Sequence, residues 1–307
     1  MYRMYQKKRE EHESILILLE SKIYQGSLIL VNQNHPIQAP MSSKKLRSVF
    51  PEQPQIQMEQ ESAGMLKKLL QEIQGEQKAK KEPVRKEVQG KIVGVSGYRT
   101  REEQVQIFEN SLTENGRAFT EKYVAFPDCS EHQTGLAMDL AEHRPEIDFI
   151  CPEFPYDGIC QSFRERAAEF GFVERYQEEK QSVTGIGAEP WHFRYVGIPH
   201  GELMQEQGMA LEEYIEWLKQ FDLEENPLKI KRGETEFQIG YVRAQGKYTR
   251  WKMPKRETAF SSAENGNFKR ERTIKISGNN VDGFVITMIT TEAEGRKHET
   301  EKKLWGH

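Results

Sequence analysis

The segment Ser130-Glu131-His132-Gln133-Thr134-Gly135-Leu136-Ala137-Met138-Asp139 sets an imidazole and a carboxylate seven residues apart. About fifty residues further on, Glu189-Pro190-Trp191-His192 adds a second imidazole with a carboxylate of its own. Two imidazoles and one carboxylate suit a divalent ion such as zinc. A catalytic zinc takes three protein ligands and leaves a fourth position to water, whose pKa falls to about 7 on binding. His132, Asp139 and His192 fill the three places, and Glu189 is the candidate general base that relays a proton from water to a leaving amine. Pro190 prevents a regular helical turn between Glu189 and His192, so this is not the helical zincin arrangement. The combination predicts a hydrolase.

Such a site needs rigid elements to bring its parts together. The run Gly135–Leu140 reads as a strand with Leu136, Met138 and Leu140 on one face and Asp139 on the other, so that a loop delivers His132 and the strand delivers Asp139. His192–Val196 alternates as a neighbouring strand carrying the third ligand. Lys91–Ser96 reads as a buried strand leading through Gly97-Tyr98-Arg99-Thr100 into a helix from about Arg101 to Asn110. Arg99 thus sits at a strand-to-helix junction, where a scaffold can hold it and Gln104 against a ligand. A fixed guanidinium is what a developing negative charge requires. Taken one at a time, these residues are more often structural, and their joint occurrence is what argues for a site. His12, His35, His143, His200, His298 and His307 have no comparable neighbours and read as surface or structural residues.

Composition bounds the rest. The 307 residues, 36% hydrophobic and 30% charged, describe a chain with one sizeable core and room for a smaller unit. A formal net charge of -4 supplies no global basic field for nucleic acid, and the basic run from Lys78 to Lys86 reads as a solvated face or linker. No stretch approaches the roughly 20 apolar residues of a membrane span, and Ile15–Leu19 is too short for a secretory signal core, so a cytoplasmic protein is expected. Cys129, Cys151 and Cys160 form an odd set without Cys-x-x-Cys spacing. Reduced thiols are favoured over a bridge between Cys151 and Cys160.

Three segments are expected: an N-terminal helical extension over 1–24, a catalytic domain over 25–225 and a β-rich accessory domain over 226–307. Residues 1–22 read as a charged amphipathic helix and Ser27–Val31 as a strand or buried turn. Helices are predicted over Met58–Gln77, Ser162–Phe170 and residues 202–221. In the tail, Phe237–Val242, Thr273–Ser277 and Phe284–Ile289 read as strands, with a turn at Asn279–Gly283 and no residues of ligand spacing.

Taken together, Ser130-x-His132-x-x-Gly135-x-Ala137-x-Asp139, Glu189-Pro190-Trp191-His192 and Ser96-Gly97-Tyr98-Arg99-Thr100 resemble the VanY family of zinc D-Ala-D-Ala carboxypeptidases. Further stretches are similar to its VanXY type, the bifunctional D,D-dipeptidase/D,D-carboxypeptidase of vancomycin-resistance clusters. These are Asn34-His35-Pro36, Ser111-Leu112-x-Glu114-Asn115-Gly116, Cys129–Gln133, Thr184-Gly185-Ile186 and His192–Gly197, within a likeness covering about residues 25 to 222.

The resemblance implies an α+β fold with a central antiparallel sheet and flanking helices. It implies one Zn2+ per chain on His132, Asp139 and His192, Glu189 as catalytic base, Arg99 stabilising the intermediate, and Gln104 and Ser130 holding the substrate's terminal D-alanine. The implied substrates are peptidoglycan precursor peptides ending in D-Ala-D-Ala and the free dipeptide. Other activities open to the same site are L,D-carboxypeptidase and peptidoglycan endopeptidase, and the non-catalytic alternative is a cell-wall-peptide binding protein.

Overall fold

A computed structural model describes residues 15–39, 45–79, 90–253 and 269–293. In chain order the elements are β1 (Ile15–Leu19), β2 (Leu46–Ser48), β3 (Gln57–Glu59), α1 (Gln60–Ala79), β4 (Ile92–Ser96), α2 (Arg101–Asn115), α3 (Arg117–Tyr123), β5 (Ala137–Glu142), α4 (Gly158–Ala167), β6 (Phe172–Tyr176), α5 (Gln181–Thr184), β7 (Glu189–Tyr195), α6 (His200–Gln207) and α7 (Leu211–Leu218). The tail adds β8 (Leu228–Arg232), β9 (Thr235–Arg243), β10 (Tyr248–Lys252), β11 (Lys269–Gly278) and β12 (Gly283–Ala293).

The central sheet has the order β4-β5-β7-β6 with every neighbouring pair antiparallel. Alternation along its strands separates two faces. Met138 and Leu140 of β5 and Phe193 and Tyr195 of β7 join Leu66, Leu69 and Ile73 of α1 and Phe163 of α4 in one apolar core. Phe163 and Phe193 meet edge to face with centroids 4.8 Å apart, and burying each ring contributes about 1.5–3 kcal/mol. Asp139, His192 and Arg194 alternate with these residues and are buried on the other side of the sheet. The fold is thus α+β around a central antiparallel sheet.

Four of the five tail strands form a second antiparallel sheet, ordered β11-β12-β9-β8, while β10 pairs with β1. Ile239 of β9 and Val285 of β12 pack with Leu28, Leu30, Val173 and Val196 and with Leu211, Tyr214, Ile215 and Leu218 of α7. Buried His200 of α6 bridges this contact, with Nδ1 2.8 Å from the Tyr214 hydroxyl and Nε2 3.0 Å from Thr287 Oγ1.

Several local expectations change. Ile15–Leu19 is not helical: β1 pairs antiparallel with β10, Leu16↔Trp251 and Leu18↔Thr249. Five successive apolar residues supply both faces of a strand, and Leu18 is buried with Trp251, Phe284 and Ile286. This packing outweighs weak helical propensity. The remainder of the predicted N-terminal helix, 1–14, lies outside the described residues, as does most of the basic run 78–86. Ser27–Val31 takes the buried-turn alternative and joins no sheet: Ser27 and Leu28 lie in a turn, Leu28, Leu30 and Val31 are buried, and Leu28 N–H donates to Ser277 Oγ (2.9 Å) and Leu30 N–H to Asn279 O (3.0 Å). The helix predicted over 202–221 is two helices, broken at Gly208 with φ +60°. All three cysteines are free thiols, and no helix among the described residues is long and apolar enough to cross a membrane.

Candidate active site

Asp139 and His192 are direct cross-strand partners on β5 and β7, and Asp139 also stands opposite Ser96 of β4. Partners in such a register carry Cβ atoms roughly 4.5–5.5 Å apart, close enough for carboxylate and imidazole to share one point. His132 arrives from a 3-10 turn, Glu131–Thr134, that precedes β5 and is closed by Gly135 at φ +71°. Gly97 completes the frame, because a Cβ there would lie 2.3 Å from Gln57 O. The close approach lets Tyr98 N–H donate to Gln57 O (2.7 Å), while Gly97 O accepts from His132 Nδ1 (2.7 Å).

A carbonyl only accepts, so Nδ1 of His132 carries hydrogen and its neutral ring directs a lone pair from Nε2. That Nε2 lies 3.0 Å from Asp139 Oδ2. Burial, followed by the Arg99 charge, pushes His132 down to about 4, which keeps it neutral near pH 7. His192 Nδ1 lies 2.9 Å from Asp139 Oδ1. Burial opposes its protonation, but Asp139 and Glu131 outweigh burial and push His192 up to about 9. One ligand atom from each of His132, Asp139 and His192 falls within 4.8 Å of the others, all three residues being buried. Two imidazole nitrogens and a carboxylate oxygen, aimed at one another away from solvent, repel unless a proton or cation stands between them. The donor set therefore fits a divalent metal ion.

Glu189, at the start of β7, lines the same cleft with Oε2 3.7 Å from His192 Nδ1. Burial first, with Asp139 and Glu131 adding repulsion, pushes its carboxyl up to about 8. A carboxyl poised this near neutrality can both take and give a proton.

Arg99 faces the triad from the junction between β4 and α2. A reciprocal capping box fixes the helix start beside it: Glu103 N–H donates to Thr100 Oγ1 (3.2 Å) and Thr100 N–H to Glu103 Oε2 (2.7 Å). The Arg99 guanidinium donates from Nε to Ser96 Oγ (2.7 Å), from Nη1 to Gln104 Oε1 (3.2 Å) and from Nη2 to Asp139 Oδ2 (2.8 Å). Gln104 is wholly buried behind Arg99 and donates to Ala125 O (2.8 Å); it does not line the cleft. Ser130 does line it.

Other residues at the site carried no reading in the sequence. Glu131 is buried beneath His192, and Arg175 and Arg194 hold its carboxyl well below the usual range despite burial. Period-two alternation does put Arg194 on the face of His192, a signal present in the sequence. Tyr176, opposite Glu189 in the β6–β7 register, places its ring 4.8 Å from that of His192. Phe149, from the loop after β5, stands 5.7 Å from the Arg99 guanidinium at the cleft wall. Neither shows periodicity that singles it out.

Fold and site together define a hydrolase whose polar centre is built to hold a metal ion. Residues 55–198 match the VanY family, D-alanyl-D-alanine carboxypeptidase, a span containing every site residue named above. The chain is 49% identical over 127 residues to the bifunctional D-Ala-D-Ala dipeptidase and D-Ala-D-Ala carboxypeptidase VanXYC of Enterococcus gallinarum, covering 41% of this chain and 67% of the relative. It is 28% identical over 278 residues to a D-alanyl-D-alanine carboxypeptidase of Enterococcus faecium, covering 89% of this chain and 78% of that one. The crystal structure of the vancomycin-resistance D,D-dipeptidase VanXYg in complex with a D-Ala-D-Ala phosphinate analog superposes with a TM-score of 0.78 at 40% identity, covering 91% of this chain and 99% of that one. That coverage exceeds what the residues before 226 can supply, so the likeness continues into the tail sheet. The chain belongs to the VanY family.

Proposed function

We propose that the protein is a zinc D,D-peptidase that removes the terminal D-alanine from peptidoglycan precursor peptides ending in D-Ala-D-Ala and also splits the free dipeptide. The observation that carries this reading is the convergence of His132 Nε2, Asp139 and His192 Nδ1 with the buried Glu189 carboxyl on one side and the Arg99 guanidinium on another. Those three side chains would hold zinc, which supplies Lewis acidity, acidifying a coordinated water to a pKa of about 7 and polarising the scissile carbonyl. The naming of the VanXYC relative for both activities and the likeness to VanXYg over nearly the whole chain support the double substrate range.

Each of the chain's own groups has a part. Glu189 takes the proton from the attacking water and returns it to the departing amine, a task suited to a carboxyl pushed up to about 8. Arg99 opposes the negative charge that grows on the carbonyl oxygen, its guanidinium already fixed by Ser96 and Gln104. Gln104 acts through Arg99 as a positioning residue. The Ser130 hydroxyl binds the terminal D-alanine. Apolar Phe149, Ile150, Tyr176 and Trp191 restrict water in the cleft.

The test is to incubate the zinc-loaded protein separately with D-Ala-D-Ala and a UDP-linked pentapeptide and to measure released D-alanine. Release from both supports the reading, and release from neither contradicts it.

A further inference from the structure

We infer that Glu131 is a positioning residue for the metal: by accepting the Nε2–H of His192 it turns that ring so that Nδ1 is the atom offered to the ion. The inference rests on the zinc reading above and adds the question of which nitrogen binds and what selects it. Glu131 Oε2 lies 3.4 Å from His192 Nε2. A carboxylate only accepts, so the proton of a neutral His192 belongs on Nε2 and its lone pair on Nδ1, the atom 2.9 Å from Asp139 Oδ1. His132 and His192 thereby present opposite ring nitrogens, because Gly97 O holds Nδ1 of the first and Glu131 holds Nε2 of the second.

The Glu131 carboxylate is itself held in place. Its Oε1 accepts from Arg175 Nε (2.9 Å) and lies 2.9 Å from Arg194 Nη1, with all three side chains buried. Arg194 is fixed through Nη2 to Ser27 O (3.0 Å) and Ile29 O (2.8 Å). Arg175 donates from Nη2 to Glu212 Oε1 of α7 (2.7 Å). The plainer role for Glu131 is to neutralise two buried arginines. Arg175, however, already has Glu212, and the second Glu131 oxygen faces His192 and neither arginine. Adjacent residues of one short turn thus serve the ion in different ways, His132 as a ligand and Glu131 as the orienter of another ligand. Partners of this kind change metal affinity by about 10–100-fold when replaced.

The experiment measures zinc affinity by competition with a chromophoric chelator for the unmodified protein, Glu131→Gln and Glu212→Gln. Glu212→Gln disturbs the same arginine cluster without touching His192. The inference predicts binding about 10–100-fold weaker in Glu131→Gln and within about twofold of the unmodified protein in Glu212→Gln. Unchanged affinity in Glu131→Gln, or equal weakening in both variants, overturns it. If Glu131→Gln does not fold, long-range proton–nitrogen correlation spectra of the zinc-loaded unmodified protein decide. His192 with hydrogen on Nε2 and metal on Nδ1 supports the inference, and the reverse assignment overturns it. Failure of the unmodified protein to bind zinc would overturn the zinc reading and this inference together, whereas tight binding with an indifferent Glu131→Gln would sink the inference alone.

Discussion

Asp139 and His192 face each other across β5 and β7, with Asp139 Oδ1 2.9 Å from His192 Nδ1. Without a metal the pair is held by a proton, since the neighbouring carboxylates push His192 up to about 9. Zinc would take that proton's place, so sheet register becomes ligand geometry.

Replacing Glu189 with Gln preserves shape and removes the proton acceptor. Turnover of D-Ala-D-Ala should fall about 10²–10⁴-fold while the variant still binds one zinc per chain. Rates of D-alanine release, set beside metal content, check this. A variant that lost zinc and activity in step would place Glu189 among the structural supports of the metal.

Arg99→Lys keeps a positive charge but loses the planar fork that reaches Ser96, Gln104 and Asp139 together. A loss of about 10²–10³-fold in kcat is expected. Gln104→Ala should cost roughly tenfold, about 1.4 kcal/mol, because Arg99 retains its other partners. Steady-state kinetics on the dipeptide provide the comparison, and a larger effect at Gln104 than at Arg99 would reverse the roles.

Gly97→Ala tests the frame and leaves the ligands unaltered. The added Cβ must push Gln57 O away from a separation of 2.3 Å, and with it move the carbonyl that holds His132 Nδ1. A destabilisation of about 1–3 kcal/mol is expected, together with weaker zinc binding. Urea melts and chelator competition measure the two effects, and unchanged zinc affinity in the folded variant would separate Gly97 from the metal.

His200 gives a pH signature away from the site. Burial of this α6 residue against Tyr214 of α7 and Thr287 of β12 pushes its imidazole down to about 3, so the folded protein keeps it neutral while the unfolded chain protonates near 6.5. Its stabilisation is complete above pH 6.5 and is lost progressively as pH falls towards 3, at up to about 1.4 kcal/mol per pH unit. His200→Gln should flatten the pH dependence by one proton's worth in urea melts between pH 7 and 5. Equal slopes for both proteins would contradict the burial argument.

Strand periodicity made the centre of this fold legible. Alternation around Met138-Asp139-Leu140 and His192-Phe193-Arg194 separates polar from apolar faces before any coordinates, and the β4-to-α2 junction at Arg99 follows from a β-branched strand run leading through Gly97 into a helix. Other features depend on long-range contacts that periodicity does not encode. Ile15–Leu19 becomes a strand because β10 and the cluster around Trp251 receive it. Gln104 carries a polar side chain suited to holding substrate, yet packing places it behind Arg99, and only tertiary structure distinguishes the two positions. Glu131 sits inside the histidine motif and gains meaning only when Arg175, 44 residues away, closes on it.

The central claim, that three distant side chains hold one ion, is tested most directly by a crystal of the zinc-loaded protein measured at the zinc absorption edge. A single anomalous peak about 2.0–2.2 Å from His132 Nε2, His192 Nδ1 and an Asp139 oxygen is the predicted result. No peak among those three groups, or zinc held by other residues with activity intact, would contradict it.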